Sequence, residues 1–149
     1  MRRLTVSLLA VVALFLGCEI DTRLNLTGDN PPVFQMSGNG GLSSIRVRGP
    51  NKQRNVDGED AWIYWEIHNN GPRLTVGELG SVTYGKIPAG YAQKYPETGT
   101  APNLDEGERY YIRVTTVNAN GDEGYFTILN GRPYYSRIES ELPKKPAAH

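Results

Sequence analysis

Apolar residues follow two different patterns along the chain. An unbroken run of low-polarity residues extends from Leu4 to Leu16, directly after Arg2 and Arg3. From Val33 onward the apolar residues occur in short runs or alternate with polar ones, and Gly, Asn, Asp or Pro bounds each run. Alternation with a period of two places every second side chain on one face of a strand. We therefore expect a short targeting segment followed by an all-β domain.

The runs after Val33 predict seven strands. They are Val33–Met36, Ile45–Arg48, Ala61–Ile67, Arg73–Val76, Gly80–Tyr84, Tyr110–Thr116 and Gly124–Leu129. In the third and most aromatic strand we assign the face with Ile63, Trp65 and Ile67 to the core. The opposite face carries Glu66, which is costly to bury without a partner, so we expect that face in water.

A long stretch containing proline and glycine, Ile87–Pro102, shows no regular period. We expect a surface loop, and loops longer than about 12 to 15 residues in compact domains are often functional. Tyr84, Tyr91 and Tyr95 lie in or beside this stretch. Exposed tyrosines can stack on sugar rings or anchor a protein partner, so these three are candidate contact residues. The alternative is that they cover the open ends of the domain.

The N-terminal run has the charge and the length of a secretory signal peptide. Arg2 and Arg3 would stay on the cytoplasmic side while the apolar segment enters the bilayer. As a helix, Leu4–Leu16 would cover about 20 Å, which is less than the roughly 30 Å of hydrocarbon in a bilayer. A permanent span is therefore disfavoured, and we expect residues 1–17 to be removed.

The end of this segment, Leu14–Cys18, reads Leu-Phe-Leu-Gly-Cys and resembles the lipobox of bacterial lipoproteins. The resemblance implies a diacylglyceryl group on the Cys18 sulfur, cleavage before that residue and acylation of the new amino group. A lone cysteine would otherwise leave an unpaired thiol in a secreted chain; the alternative is an ordinary signal peptide with an incidental cysteine. Acyl chains would hold the protein on a membrane, and the same resemblance implies that Glu19, directly after the cysteine, favours the outer membrane. Trp65–Ile67 and Thr83–Pro88 also resemble small bacterial lipoproteins of uncharacterised function.

A second resemblance lies in Leu104–Gly121. Leu104 stands six residues before Tyr110, and alternating aliphatic residues then lead to an asparagine and a glycine. The stretch resembles the penultimate strand and final hairpin of fibronectin type III domains, in which the tyrosine hydroxyl bonds back to the preceding corner. The resemblance implies a single Ig-like antiparallel β-sandwich. Leu104 and Tyr110 then have structural roles, and Trp65 is the candidate for the core aromatic residue.

The sequence divides into four parts. These are a lipoprotein signal peptide at 1–17, a flexible tether at 18–32, a β-sandwich domain at 33–135 and a disordered tail at 136–149. The tether and the tail are polar and show no regular apolar period. The formal net charge of the whole chain is zero, and loss of Arg2 and Arg3 leaves it at −2. We therefore expect no nucleic-acid partner.

Residue types that carry catalysis or bind metals are sparse. A nucleophile–histidine–carboxylate site would need His68, since His149 is terminal, but His68 precedes an Asn-Asn-Gly turn where a solvated histidine is expected. Asp57–Asp60 could offer oxygen ligands to calcium but lacks EF-hand spacing, which favours a solvated acidic loop. With Cys18 lipidated, no thiol remains for zinc or for nucleophilic chemistry. We expect no catalytic residues, no metal and no cofactor.

Three classes of function remain. The first is a lipid-anchored envelope protein whose Ig-like domain is a non-catalytic binding, adhesion or scaffold module. The second is a glycan or small-ligand binder that uses the loop from Tyr84 to Pro102. The third is an enzyme, for which no set of acid, base and nucleophile is visible. We favour the first class, with the membrane, through a lipid on Cys18, and another envelope protein or cell-surface polysaccharide as partners.

Overall fold

Two antiparallel sheets with nine strands make up about half of residues 21–50 and 63–144, the part of the chain that the computed structural model describes. In chain order the strands are β1 Arg23–Thr27, β2 Val33–Ser37, β3 Gly41–Arg48, β4 Ile63–Asn69, β5 Ser81–Thr83, β6 Tyr91–Tyr95, β7 Arg109–Val117, β8 Asp122–Leu129 and β9 Arg132–Ser136. Helix α1 spans Val76–Leu79, and a 3-10 turn spans Glu139–Glu141. The expected all-β antiparallel sandwich is confirmed.

The two sheets differ in size. Strands β1, β2 and β5 form the smaller sheet in the order β1-β2-β5, and the larger sheet has the order β6-β4-β3-β7-β8-β9. The chain passes from the smaller sheet to the larger after β2 and returns to the smaller at β5. This order is compatible with an Ig-like or fibronectin type III-like sandwich.

Aromatic side chains form the centre of the core between the sheets. The ring of Phe34, on β2, is fully buried, and its centroid lies 6.3 Å from those of Trp65 and Phe126. Tyr84 packs against the same ring at 6.5 Å. Alternate positions of the strands supply the buried aliphatic residues, which include Leu24, Leu26, Ile45, Val47, Ile112 and Val114.

A β-bulge changes which face of β4 enters the core. Val47 pairs with Trp65, but the next residue, Arg48, pairs with Ile63, so Tyr64 is the extra residue. The Tyr64 ring packs against the core, while Ile63 is only half-buried. The expectation that Ile63 faces the core beside Trp65 is therefore wrong, because a bulge breaks the alternation on which it rested.

The predicted tether at 18–32 is wrong where the structure describes it. Residues 23–27 form β1, which pairs with β2 along its whole length. Leu24 and Leu26 are buried in the core, and the backbone N–H of Leu24 donates to Oδ2 of Asp122 over 2.8 Å. The buried leucines and this bond to the larger sheet hold the segment in the domain.

The region between β4 and β7 also differs from the prediction. The expected strand Arg73–Val76 does not form, because Arg73 and Leu74 have no regular structure and Thr75 makes only an isolated bridge to Gly41. Val76 instead begins α1, whose capping box joins Thr75 and Glu78. The expected loop Ile87–Pro102 contains β6, which pairs with the edge of β4. The capping box stabilises α1 locally. Strand β6 forms because it pairs with β4, which is distant in the sequence.

The predicted disordered tail at 136–149 is wrong as far as residue 142. Ser136 is the last residue of β9, and the chain then enters the 3-10 turn. The Glu139 side chain lies 3.2 Å from the guanidinium of Arg109, and Leu142 is buried. Residues 145–149 lie outside the described part of the chain.

Candidate functional site

Several residues of the sequence analysis lie outside the described ranges. They are the signal segment with Cys18 and Glu19, the acidic stretch Asp57–Asp60, and Trp62. Within residues 21–50 and 63–144, no helix is long and apolar enough to cross a membrane. The lipid attachment at Cys18 therefore stays a prediction.

The three candidate tyrosines do not form an exposed cluster. Tyr84 and Tyr91 are buried, and their hydroxyls donate to the backbone oxygens of Pro102 at 2.8 Å and Leu42 at 3.1 Å. Burial raises the pKa of both hydroxyls, which keeps them protonated as donors. Tyr95 is half-buried at the end of β6. The assignment of Tyr84 and Tyr91 as contact residues is wrong, because their rings pack inside the sandwich.

The three structural candidates lie in the core. Trp65, Leu104 and Tyr110 are all at most 4% exposed. The backbone N–H of Asp105 donates to the Tyr110 hydroxyl over 2.7 Å, so the corner bond that the resemblance implies is present. The side chain of Asn30 donates to the Leu104 carbonyl over 3.1 Å and ties the loop after β1 to the same corner.

A groove of about 500 Å³ lies on the outer face of the six-stranded sheet. Arg48, Tyr111 and Tyr125 stand side by side there on β3, β7 and β8, because the strand register pairs them in that order. The ring centroids of the two tyrosines lie 5.3 Å apart. The Arg48 guanidinium lies over the Tyr111 ring, 6.0 Å from its centroid. These side chains form the floor of what we call the tyrosine groove.

Charged side chains surround the tyrosine groove in pairs. Glu123 lies 3.4 Å from Arg113 and also accepts the Tyr111 hydroxyl over 2.6 Å. Glu139 lies 3.2 Å from Arg109 at the other side. Burial, followed by the hydrogen bond to Glu123, raises the pKa of Tyr111 to about 12, so its hydroxyl is a donor at neutral pH. Exposed ion pairs each stabilise a protein by about 0 to 1 kcal/mol, so a ligand that replaced one partner of these pairs would sacrifice little binding energy.

The sequence analysis missed the tyrosine groove. Tyr111 immediately follows the core residue Tyr110, and alternation alone places it on the outer face between Arg109 and Arg113. That arginine–tyrosine–arginine pattern was the available signal. The position of Tyr125 beside Tyr111 follows from the strand register, which no single stretch of sequence contains.

A second polar cluster lies on the outer face of β3 and β4. Glu66 is fully buried, and its Oε1 lies 2.9 Å from Nη2 of Arg46 and also contacts Nε2 of His68. Burial alone would raise the pKa of Glu66, but the hydrogen bonds from Arg46 and His68 outweigh it and hold the pKa below its usual value. The expectation of a solvated Glu66 is wrong because two basic side chains pair with it. His68 is not a freely solvated turn residue either, since it belongs to β4.

This cluster lacks the parts of a nucleophilic site. Among the described residues, Glu66 is the one hydrogen-bond partner of the His68 imidazole, and it uses Nε2. Ser44 pairs with His68 in the strand register, but its hydroxyl makes no hydrogen bond to the imidazole. The cluster pairs the Glu66 carboxylate on β4 with the Arg46 guanidinium on β3. Residues 21–50 and 63–144 also contain no group of three metal-ligating side chains.

Comparison with family models, with curated proteins and with solved structures found no match to this chain.

Proposed function

We propose that this chain is a lipid-anchored binding module of a bacterial envelope, with no catalytic role, and that its tyrosine groove docks a protein partner. The observation that carries the proposal is the groove itself: Tyr111 and Tyr125 lie 5.3 Å apart with the Arg48 guanidinium over one ring. Tyrosine and arginine dominate the binding hot spots of protein interfaces. Here they meet on the outer face of the larger sheet.

The surroundings of the groove favour a protein over a small ligand. A typical interface has an apolar centre with a polar, solvated rim. The ion pairs Arg113–Glu123 and Arg109–Glu139 supply such a rim on two sides of the tyrosines, with every charged side chain at least 38% exposed.

The anchor rests on the order of features at the N-terminus. Two arginines, thirteen low-polarity residues and a Gly-Cys pair at 17–18 match a lipoprotein signal, and β1 starts soon afterwards. The strand order and the Tyr110 corner bond support a fibronectin type III-like subtype for the domain, a common architecture for binding modules. The alternative of a glycan binder depended on exposed tyrosines in the loop from Tyr84 to Pro102. Burial of Tyr84 and Tyr91 removes that support.

Site-specific photo-crosslinking in living cells tests the partner. A photoreactive phenylalanine at Tyr125 should give one discrete crosslinked species, and Arg113→Ala or Tyr111→Ala should reduce it several-fold. The matched control is the same probe at Tyr134, which is 43% exposed on β9 and does not line the groove. Equal crosslinking from both positions would overturn the proposal. Loss of cell-wall polysaccharide binding in Tyr125→Ala, with no protein crosslink, would assign the groove to a glycan instead.

The anchor has a separate test. Cys18→Ser should abolish incorporation of radioactive fatty acid and release the protein from the membrane fraction. Persistent labelling of this variant would show that Cys18 is not the lipid attachment site.

A further inference from the structure

Asparagine directly precedes glycine at four places in the chain. The pairs are Asn39-Gly40, Asn70-Gly71, Asn120-Gly121 and Asn130-Gly131. Asparagine is a thermolabile residue, and a following glycine has no side chain to keep its backbone nitrogen away from the asparagine amide carbon. The peptide group between the two residues must rotate before that nitrogen can reach the carbon. The sequence alone makes the four pairs equivalent, so the fold decides which of them can react.

The pair at 120–121 is held by both its side chain and its backbone. The Asn120 side-chain amide donates to Oδ1 of Asp21 over 3.0 Å, and its backbone carbonyl accepts the N–H of Thr22 at 3.1 Å. Gly121 fits closely against β7, since a Cβ built on it would lie 2.1 Å from the carbonyl oxygen of Val114. The peptide group of this pair cannot rotate without breaking these contacts.

Hydrogen bonds to other segments hold the pairs at 39–40 and 130–131. The carbonyl oxygen of Gly40 accepts the N–H of Val76 at 2.9 Å, and a Cβ built on Gly40 would lie 2.7 Å from that of Ala119. Asn130 has a φ of 52°, and its backbone N–H donates to the Glu106 carboxylate. In both pairs these contacts oppose rotation of the peptide group.

The pair at 70–71 is held less tightly. Asn70 and Gly71 are both exposed in the loop between β4 and α1, which a bond of 3.4 Å from the Asn69 amide to the Pro72 carbonyl closes. The Asn70 N–H donates to the carbonyl oxygen of Gly90 over 2.8 Å, on the N-terminal side of the peptide group that must rotate. Neither the Asn70 side chain nor the Gly71 N–H has a hydrogen-bond partner among the described residues. This pair is therefore the one that the fold leaves able to react.

We propose that Asn70 is a site of spontaneous covalent modification by water. The Gly71 nitrogen bonds to the side-chain amide carbon of Asn70, and the amide nitrogen leaves as ammonia with the proton from the Gly71 N–H. A succinimide ring remains, and one water molecule opens it at either carbonyl to give aspartate or isoaspartate. Both products place a new carboxylate directly after β4, and isoaspartate also lengthens the main chain by a methylene. This modification depends on neither the lipid anchor nor the tyrosine groove.

Peptide mapping by mass spectrometry follows the four pairs in the full chain during incubation at pH 7 and pH 9 in water enriched in ¹⁸O. We expect modification at Asn70 to accumulate several-fold faster than at the other three asparagines. Each event should add one ¹⁸O atom, and the rate should rise at pH 9, where more of the attacking nitrogen is deprotonated. In concentrated urea the four rates should converge, because only the fold distinguishes the pairs.

Two variants test the assignment. In Gly71→Ala the added methyl would lie 3.4 Å from the Cα of Gly90, an ordinary contact, so the fold should persist while modification at Asn70 slows several-fold. Asn70→Gln should abolish modification at this position, because glutamine would have to close a larger ring, and should leave the other three pairs unchanged. Equal rates at all four pairs of the folded chain, a faster reaction at any of the other three, or a rate order that persists in urea would overturn the proposal.

Discussion

The backbone N–H of Asp105 donates to the hydroxyl oxygen of Tyr110 over 2.7 Å, and this bond ties the corner before β7 to the core. The Tyr110 ring stacks on Phe126 with centroids 5.2 Å apart, so the side chain cannot move away from the corner without disturbing the core. The hydrogen bond to Asp105 and the ring stacking on Phe126 together hold Tyr110 at the corner.

Tyr110→Phe should lower the free energy of unfolding by about 1 kcal/mol or slightly more, because the Asp105 N–H loses its acceptor while the ring packing stays. Denaturant unfolding measures the change as a shift of the midpoint at constant slope. Tyr134→Phe is the control, since this exposed hydroxyl has no hydrogen bond to the described residues, and its midpoint should not change. An unchanged midpoint for Tyr110→Phe would contradict a stabilising corner.

Tyr84→Ala and Tyr91→Ala should each destabilise the fold by about 3 to 5 kcal/mol, because each removes a buried ring and a hydrogen bond. Thermal unfolding should show a fall in Tm of more than ten degrees, by the usual scaling for a domain of about 100 residues. Tyr95→Ala, at a half-buried site, should cost far less. Folded variants that lose only ligand binding would restore these tyrosines as contact residues.

Glu66→Gln should change the pH dependence of stability. The folded-state pKa of Glu66 is held below its ordinary value of 4.5, so its contribution is present above about pH 4.5 and is lost as the pH falls through the folded value. The free energy of unfolding of the wild type should exceed that of Glu66→Gln by about 2 kcal/mol at pH 7, the usual worth of hydrogen bonds to a charged group, and the difference should shrink in acid. Urea midpoints from pH 7 down to pH 3 measure it.

The exposed Glu97→Gln, without a hydrogen bond among the described residues, is the control for that series and should follow wild type at every pH. A difference between wild type and Glu66→Gln that stays constant down to pH 3 would show that the carboxylate is not held by Arg46 and His68.

Asp122→Ala should loosen β1 selectively. It leaves the buried N–H of Leu24 without an acceptor and removes the partner of Arg137, which lies 2.8 Å away. The expected cost is about 2 kcal/mol, which corresponds to roughly thirtyfold faster amide exchange in β1 if that strand opens locally. Hydrogen exchange read by mass spectrometry measures it. Asp29→Ala, at an exposed turn, should leave the rate unchanged; equal exchange in wild type and Asp122→Ala would contradict the role of Asp122.

The parts of the fold that sequence predicts well are local. The β7–β8 hairpin follows from alternation and from Asn-Ala-Asn-Gly between the strands, and Tyr110 follows from its spacing to Leu104. Strand β1 also alternates, with Leu24 and Leu26 between polar residues. Because it has only five residues and polar stretches lie on both sides, the sequence predicts a tether there. Its partner Asp122 lies 98 residues away, and the sequence does not show that contact.

The candidate site was harder to predict than the fold, because it depends on neighbouring strands. The position of Glu66 on β4 predicts a solvated side chain. Its burial is possible because Arg46 on β3 pairs with the carboxylate. Tyr111 and Tyr125 become a pair only through the register of β7 with β8. Alternation assigns faces, whereas register decides which side chains meet on a face.

The position of β1 determines how the domain bears force. Strand β1 starts directly after Thr22 and runs toward the end of the sandwich where Arg48 and Arg109 lie beside the tyrosine groove. Tension between Thr22 and a partner bound in that groove would therefore act along the strand axis. All five residue pairs between β1 and β2 then resist in shear at the same time, whereas a sideways pull would break them one after another. Edge strand β1 is thus loaded along its own axis.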